Sequence, residues 1–254
     1  MRVAVLADIH GNLPALEAVL AEPDVAGADR VVLLGDIALG PLPAESLDLL
    51  ASLGERAVWV HGNCEREVVS AYDGRDVPGP NGDDARAAAS MLERRHRDLL
   101  DGLPLTVTID VDGLGPVLFC HATPRRDDEC VLVDSPMAVW DRALAGVEEQ
   151  VVVLGHTHMP FDRLVGGRRA VNPGSVGMSY GAPGACWALL GPTVQLRRTR
   201  YDEERAAEVI RSGGYPAAAE WAQEYVLSPP SDVEALAVFT ELVDPLSAPP
   251  EASV

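Results

Sequence analysis

The chain contains no lysine, and its 20 side chains of fixed positive charge are all arginines. P-loop nucleotide binding, protein-kinase catalysis, pyridoxal Schiff bases and lysine nucleophiles all need an ammonium group on a flexible stem. The sequence therefore excludes these four large enzyme classes.

Cysteine is scarce and scattered. The four cysteines form no CxxC pair and stand at positions 64, 120, 130 and 186. Disulfide frameworks and structural zinc sites usually need cysteines at short, paired spacing. We therefore expect free thiols.

Long apolar runs are also missing. No run approaches the ~20 residues of a membrane span, and Asp8 interrupts the first run, Val3 to Ala7. We expect a cytoplasmic protein with no signal peptide and no membrane contact.

Positive charge is in deficit, because 39 acidic residues give a net charge of −19. A field of this sign argues against extended binding to nucleic acid. The length of 254 residues and the hydrophobic content of 47% indicate one folded domain with a substantial core. The sequence leaves the oligomeric state open.

The first third of the chain alternates β-branched runs with helical patterns in the order βαβαβ. This order favours a mainly parallel sheet with ligands gathered beyond the carboxyl ends of its strands. Leu105 to Asp110 and Val117 to Cys120 predict a hairpin, and the strand patterns that follow predict a second, partly antiparallel sheet.

Helical patterns fill two further regions. Residues 81–100 predict one long polar helix, and residues 202–211, 215–225 and 231–242 predict a helical C-terminal appendage. The last residues, 243–254, are rich in proline, alanine and serine, so we expect a disordered tail there.

Five short segments with metal-ligating side chains each follow a predicted strand: Asp8-Ile9-His10, Gly35-Asp36, Gly62-Asn63-Cys64-Glu65, Cys120-His121-Ala122 and Gly155-His156-Thr157-His158. Any one of them alone is more simply a turn or a cap, but all five occur together. Their two carboxylates, four imidazoles and one amide suit two first-row ions such as Mn, Fe, Zn or Ni better than Ca. Among these metals we expect Mn. Asp36, at the end of a central strand, is the natural bridge between two such ions.

These segments resemble the calcineurin-like metallophosphoesterase superfamily, whose signature runs DxH, GD, GNH[DE], H and GHxH. The sequence at 171–177, Val-Asn-Pro-Gly-Ser-Val-Gly, is similar to the tail signature of its YfcE-like phosphodiesterase branch. The expected fold class is then α/β: a two-sheet αββα sandwich of mixed sheets flanked by helices, with a helical C-terminal appendage. Residues 1–200 would form the catalytic domain and residues 201–242 the appendage of the same domain.

The resemblance also implies roles for the predicted ligands. Asp8, His10, Asp36 and His158 would hold one ion, and Asp36, Asn63, His121 and His156 the other. A hydroxide between the ions would attack a phosphoester in line. Asp36, Asn63 and His121 are the residues that this scheme places closest to catalysis.

The sequence departs from the superfamily at Cys64, where the signature has a histidine thought to assist the leaving group. Loss of a general acid costs roughly 10²- to 10⁴-fold, and most for poor leaving groups. Esters with acidic leaving groups should therefore react best. Cys64 is equally well read as a buried structural thiol.

Three side chains are candidates for contact with substrate: Asn12, Cys64 and Arg125. Arg125, like Arg126, could bind a phosphate, or it could pair with the acidic residues that follow it. Asn12 could face the cleft, although a helix cap is favoured.

We expect His61 to be structural and His96 to lie on a solvated helix face. Glu65 has no assigned role.

We therefore predict a metal-dependent hydrolase that acts on a small phosphorylated substrate, by preference a phosphodiester. A phosphomonoesterase or protein Ser/Thr phosphatase is the alternative enzyme. A non-catalytic scaffold is the third possibility, since a similar fold in the retromer coat has lost its metal ligands and serves as a binding surface.

Overall fold

The computed structural model describes residues 1–242. The predicted disordered tail at 243–254 lies outside the described residues. The strands are β1 (Val3–Leu6), β2 (Arg30–Leu33), β3 (Ala57–Trp59), β4 (Thr106–Val111), β5 (Gly115–Cys120), β6 (Val151–Val153), β7 (Phe161–Val165), β8 (Arg168–Asn172), β9 (Ala185–Leu190) and β10 (Val194–Thr199).

The helices lie between and after these strands. They are α1 (Leu13–Leu20), α2 (Pro23–Ala26), α3 (Pro43–Ala51), α4 (Asn63–Tyr72), α5 (Gly82–Ser90), α6 (Arg94–Asp101), α7 (Met137–Ala143), α8 (Glu203–Ser212), α9 (Ala218–Ala222) and α10 (Asp232–Leu242). Gly54–Arg56 forms a 3₁₀ turn, and Gln223–Leu227 continues α9 as a π-helical turn. No helix within residues 1–242 has both the length and the apolar character to cross a bilayer.

The strands form two mixed sheets of five. The first has the order β10-β9-β1-β2-β3, in which β1, β2 and β3 are parallel and β9 runs antiparallel to β1. The second has the order β4-β5-β6-β8-β7, in which β5, β6 and β8 are parallel and β4 pairs with β5 as the predicted hairpin. The parallel strands are the ones that deliver the predicted ligands.

The two sheets pack face to face. Because side chains alternate across each strand, one face of each sheet contacts the other sheet and the opposite face contacts the helices. Val3 and Val5 of β1 belong to the cluster between the sheets, together with Phe119 and Val153 of the second sheet. Ala4 and Leu6, which point the other way, pack with the helices outside the first sheet. Helix α7 covers the outer face of the second sheet through Trp140 and its neighbours. The predicted αββα sandwich is confirmed.

The C-terminal helices pack onto the sandwich. Ala206 and Ile210 of α8, with Trp221 of α9, bury side chains against Leu42 and its surroundings. Helix α10 is attached through Ala235, which is 4% exposed and packs with Leu132, Met159 and Tyr180. The predicted helical appendage is therefore present.

The prediction of one helix over 81–100 was wrong, because the chain turns between α5 and α6. Glu93 is extended, and its backbone N–H donates to Nδ1 of His96 at 3.1 Å. His96 Nε2 lies 3.1 Å from a carboxylate oxygen of Asp48, which comes from α3. The prediction of a solvated His96 was wrong for the same reason, since its side chain is buried between these partners.

Candidate metal centre

The predicted ligands meet at one edge of the sandwich, because the carboxyl ends of parallel strands point the same way. The first sheet supplies Asp8 and His10 after β1, Asp36 after β2 and Asn63 after β3. The second sheet supplies His121 after β5 and His156 and His158 after β6. All except His156 are buried. The site therefore lies at the junction of the two sheets.

The ligand atoms form two groups of three. One comprises Asp8, His10 and His158, and the other comprises Asp36, His121 and His156; within each group the atoms lie within 4.8 Å of one another. One carboxylate oxygen of Asp36 lies 3.4 Å from Nε2 of His121 and 3.9 Å from Nε2 of His10. Asp36 thus stands between the groups, where a bridging ligand would be placed.

His10 and His158 face each other through nitrogens that carry no proton. Nδ1 of His10 lies 2.9 Å from the carbonyl oxygen of Leu39, and Nδ1 of His158 lies 3.2 Å from that of Met178. A carbonyl oxygen only accepts, so each neutral ring carries its proton on Nδ1. The two Nε2 atoms, 3.2 Å apart, then present lone pairs to each other. A cation between them would satisfy both.

The second group repeats this arrangement in part. Nδ1 of His121 lies 2.5 Å from the carbonyl oxygen of Leu34, and its Nε2 lies 3.2 Å from Nδ1 of His156. On its far side, Nε2 of His156 lies 3.5 Å from the Cys130 sulfur. The His121 ring is therefore fixed in orientation with Nε2 toward the group.

Asn63 adds a buried acceptor that no residue within 1–242 satisfies. Its Nδ2 donates to the Cys64 sulfur at 3.6 Å and to Glu67 at 3.4 Å, while its Oδ1 has no hydrogen-bond partner among the described residues. An unsatisfied buried oxygen costs roughly 1 to 3 kcal/mol. The facing imidazole nitrogens and this amide oxygen together fit a pair of divalent ions.

Comparison with known proteins agrees with this geometry. The family model for the calcineurin-like phosphoesterase superfamily domain matches residues 1–192. The chain belongs to this superfamily. The resemblance predicted from the motifs is confirmed.

Relatives of this phosphoesterase share most of its length. The phosphodiesterase YfcE of Escherichia coli K12 is 27% identical over 218 residues, which cover 82% of this chain and 97% of YfcE. An uncharacterised protein of Methanocaldococcus jannaschii is 26% identical over 249 residues, which cover 87% of this chain and 96% of that protein. The crystal structure of a metallophosphoesterase from Sphaerobacter thermophilus has a TM-score of 0.70 and 26% identity, and covers 88% of this chain and 99% of that one.

The backbone of this phosphoesterase is strained at its predicted ligands. Asp8, His10, Asp36, His156 and His158 have φ between 48° and 66°, and within residues 1–242 they are the only non-glycine residues with positive φ. Such conformations cost about 1 to 3 kcal/mol each and persist only where the surroundings enforce them. Within residues 1–242, strain of this kind is confined to five of the seven predicted ligands, and such strain typically clusters at functional sites.

Glycines permit the close approach of the loops. A Cβ on Gly62 would lie 2.2 Å from Oδ1 of Asp36, and a Cβ on Gly35, where φ is +82°, would lie 2.4 Å from the backbone nitrogen of Gly62. The loops after β2 and β3 can therefore touch only because both positions lack a side chain.

Glu65 holds the same two loops together. Its carboxylate accepts backbone N–H bonds from Asp36 and Ile37, both at 2.7 Å, and from Gly62 at 2.8 Å. The sequence alone assigned Glu65 no role, although it stands at the acidic position of the GNH[DE] signature. The structure identifies it as a positioning residue.

Ser175 and Asn172, from the tail signature, support the loops from behind. Ser175 Oγ donates to the carbonyl of Asp8 at 2.7 Å, and Asn172 Nδ2 donates to the carbonyl of Gly155 at 2.8 Å. Both residues are fully buried. They fix the backbone that carries the ligands of both sheets.

The electrostatics favour the ligand forms of most of these side chains. Burial raises the pKa of Asp36, but His121, with His10 and His156, outweighs burial and holds this pKa well below the usual range. Burial lowers the pKa of His10 and lowers that of His156 to about 4, so both rings are neutral at pH 7. Burial also lowers the pKa of His121, yet the carboxylates of Asp36 and Asp8 raise it to about 10. A cation at this site would therefore have to displace a proton from His121.

The three candidate substrate contacts, Asn12, Cys64 and Arg125, have different surroundings. Asn12 Oδ1 accepts the N–H of Ala15 at 3.3 Å and its Nδ2 donates to the Gly177 carbonyl at 2.9 Å, so it acts as the favoured cap. Cys64 lies beside the centre, where its backbone N–H donates to Asp36 at 2.9 Å and its side chain is 3% exposed. Arg125 pairs with Glu129, and His61 lies 3.7 Å from Asp127.

Proposed function

We propose that this phosphoesterase hydrolyses a small phosphodiester with the help of two divalent transition-metal ions, of which Mn is the preferred candidate. The observation that carries the proposal is the pair of three-ligand groups, of which one contains Asp36 and the other places His10 Nε2 3.9 Å from the Asp36 carboxylate. The name of the YfcE relative, a phosphodiesterase, supports the choice of diester.

The residues that would hold the ions follow from the two groups. Asp8, His10, Asp36 and His158 would hold one, and Asp36, Asn63, His121 and His156 the other. The orphaned Asn63 oxygen and the facing His10 and His158 nitrogens support this division. Two such ions supply ionised water at neutral pH and neutralise phosphoryl oxygens during displacement.

The chain's own residues orient and fix this chemistry. Glu65, Ser175 and Asn172 anchor the ligand-bearing loops, so the geometry is set before substrate binds. Cys64 stands where the superfamily signature has a histidine. Burial and then the nearby Asp36 raise the pKa of its thiol well above the usual value, so it is a poor proton donor to a leaving group. Diesters with acidic leaving groups should therefore be the best substrates.

The test compares two p-nitrophenyl esters. Protein supplied with Mn²⁺ is expected to hydrolyse bis(p-nitrophenyl) phosphate with a higher kcat/KM than p-nitrophenyl phosphate. The reverse ratio would favour the phosphomonoesterase alternative. No turnover of either ester, with Mn²⁺ bound, would favour the scaffold.

Two variants test the site. Asp36→Ala should abolish turnover and reduce bound Mn²⁺, because it removes the one residue that is proposed to hold both ions. Asp76→Ala, an exposed aspartate outside the centre, is the matched control and should change neither. Full activity of Asp36→Ala would overturn the assignment.

A further inference from the structure

A cavity lies beside the metal centre, between the sandwich and the C-terminal helices. Its volume is about 520 Å³, within the range of roughly 300 to 1,000 Å³ typical of small-ligand clefts. Tyr180 forms its wall on the sandwich, and residues between Glu224 and Phe239 form the opposite side. The backbone N–H of Gly181 donates to the carbonyl of Pro230 at 2.9 Å and ties the two sides together.

Two walls of this cavity are also neighbours of the predicted ligands. The Tyr180 ring stacks on His158, with centroids 5.6 Å apart and planes inclined by 20°. The Phe239 ring lies 6.2 Å from the His158 ring and 6.4 Å from the His156 ring. A group in the cavity is thus separated from the centre by a single layer of aromatic rings, close enough to be joined to a phosphate there.

The lining suits a flat apolar ring. Tyr180, Tyr225 and Phe239 contribute aromatic surfaces, and Pro229, Ala235 and Val238 contribute aliphatic ones. Tyr180 and Phe239 are 6.4 Å apart and inclined by 66°, so two differently oriented ring faces border the same space. Aromatic walls of this kind bind planar heterocycles by stacking.

The charges of the lining exclude a second anion. Among the described residues, Glu224 and Glu234 are the charged residues that line the cavity. None of the described arginines lines it. Hydrogen bonds from the hydroxyl and the backbone N–H of Ser231, at 2.7 and 2.9 Å, lower the pKa of Glu234 and keep it ionised. Carboxylates repel phosphate but accept hydrogen bonds from ring N–H groups.

We propose that this cavity binds the base of a nucleoside whose phosphoester is presented to the metal centre. The inference rests on the proposed function and refines its substrate class to nucleotides. The cavity would set specificity for the organic group, while the metal ligands would engage the phosphate alone.

The binding of two ligands, one with a base and one without, tests the proposal directly. Calorimetric titration of the Mn²⁺-supplied protein with adenosine 5′-monophosphate and with ribose 5-phosphate compares ligands that share the sugar phosphate. We expect the nucleotide to bind about tenfold more tightly, the contribution of one stacked base. Equal affinities would overturn the proposal.

Variants of the lining make the test specific. Tyr225→Leu removes a ring while keeping an apolar side chain, and Val238→Trp fills the cavity from a position that is 59% exposed. Each should reduce the preference for the nucleotide about tenfold while leaving the affinity for ribose 5-phosphate unchanged. Val233→Ala, on the same helix but outside the cavity and 78% exposed, is the control and should keep the preference.

The outcomes separate this inference from the proposed function. If bis(p-nitrophenyl) phosphate is hydrolysed but the nucleotide preference is absent, or persists in both cavity variants, the nucleoside pocket is wrong and the phosphodiesterase stands. If the preference is present and lost in both variants while no ester is hydrolysed, the pocket stands and the catalytic proposal fails.

Discussion

At the residue scale, the convergence of the predicted ligands could be read from the sequence, whereas the backbone contacts of Glu65 could not. Asp36 and His121 are ordinary metal-ligand types at strand ends, so their position in the chain already indicates their surroundings. Glu65 stands at the acidic position of the GNH[DE] signature, but an acidic residue in the first turn of a helix is common, so the position alone does not indicate its contacts. Its role depends on the approach of the loop after β2, which only the folded chain reveals.

Glu65→Gln should destabilise the protein and weaken Mn²⁺ binding. The amide would bring an NH₂ group against the backbone N–H groups of Asp36 or Gly62, which now donate to a carboxylate. Hydrogen bonds to charged groups contribute about 1.5 to 3 kcal/mol, so we expect a loss of about 2 kcal/mol in the free energy of unfolding. Urea unfolding and Mn²⁺ titration measure the two effects.

The matched control for this variant is Glu55→Gln. Glu55 is exposed and lies away from the centre, so neither stability nor Mn²⁺ affinity should change by more than experimental error. A Glu65→Gln protein as stable as the wild type would show that the carboxylate does not hold the loops.

At the element scale, periodicity found the strands but missed the break between α5 and α6. The stretch at Met91 to Glu93 contains neither glycine nor proline, the usual marks of a helix end. The turn is stabilised instead by His96, whose ring lies between the backbone of Glu93 and the carboxylate of Asp48 on α3. Because His96 and Asp48 are distant in sequence, no local sequence pattern predicts their contact or the turn that it stabilises.

Helix α10 should detach when a charge is placed on its buried face. Ala235→Asp would put a carboxylate against Leu132, Met159 and Tyr180, where it would have to be buried without a partner. We expect faster hydrogen exchange at the backbone of residues 232–242, measured by mass spectrometry, with unchanged exchange in the two sheets. Val233→Asp, on the exposed side of the same helix, should leave the exchange of this segment as it is. Equal protection in the two variants would mean that α10 is not held by this contact.

At the scale of the whole molecule, the metal centre joins the two sheets. The first sheet delivers two carboxylates, one imidazole and the Asn63 amide, and the second sheet delivers three imidazoles. The interior between the sheets is aliphatic and aromatic, with Val5, Val32 and Phe119 in its centre. The sheets are therefore held by apolar packing in their middle and, when ions bind, by ligands at one edge. The predicted strand order already placed the ligands after strands of two different sheets, and the structure confirms this division.

Metal binding should accordingly raise the melting temperature, because ions that bind the folded chain stabilise it by mass action. Free Mn²⁺ at 100 times its dissociation constant contributes about 2.7 kcal/mol per site, which corresponds to roughly 5 to 10 °C for a domain of this size. Differential scanning calorimetry with Mn²⁺ and with EDTA measures the shift. Asp36→Asn, which keeps the size of the side chain but removes the shared charged ligand, should lose most of the shift, whereas Asp76→Ala should retain it. A full shift in Asp36→Asn would place the stabilising ions elsewhere on this acidic surface and not at the junction of the sheets.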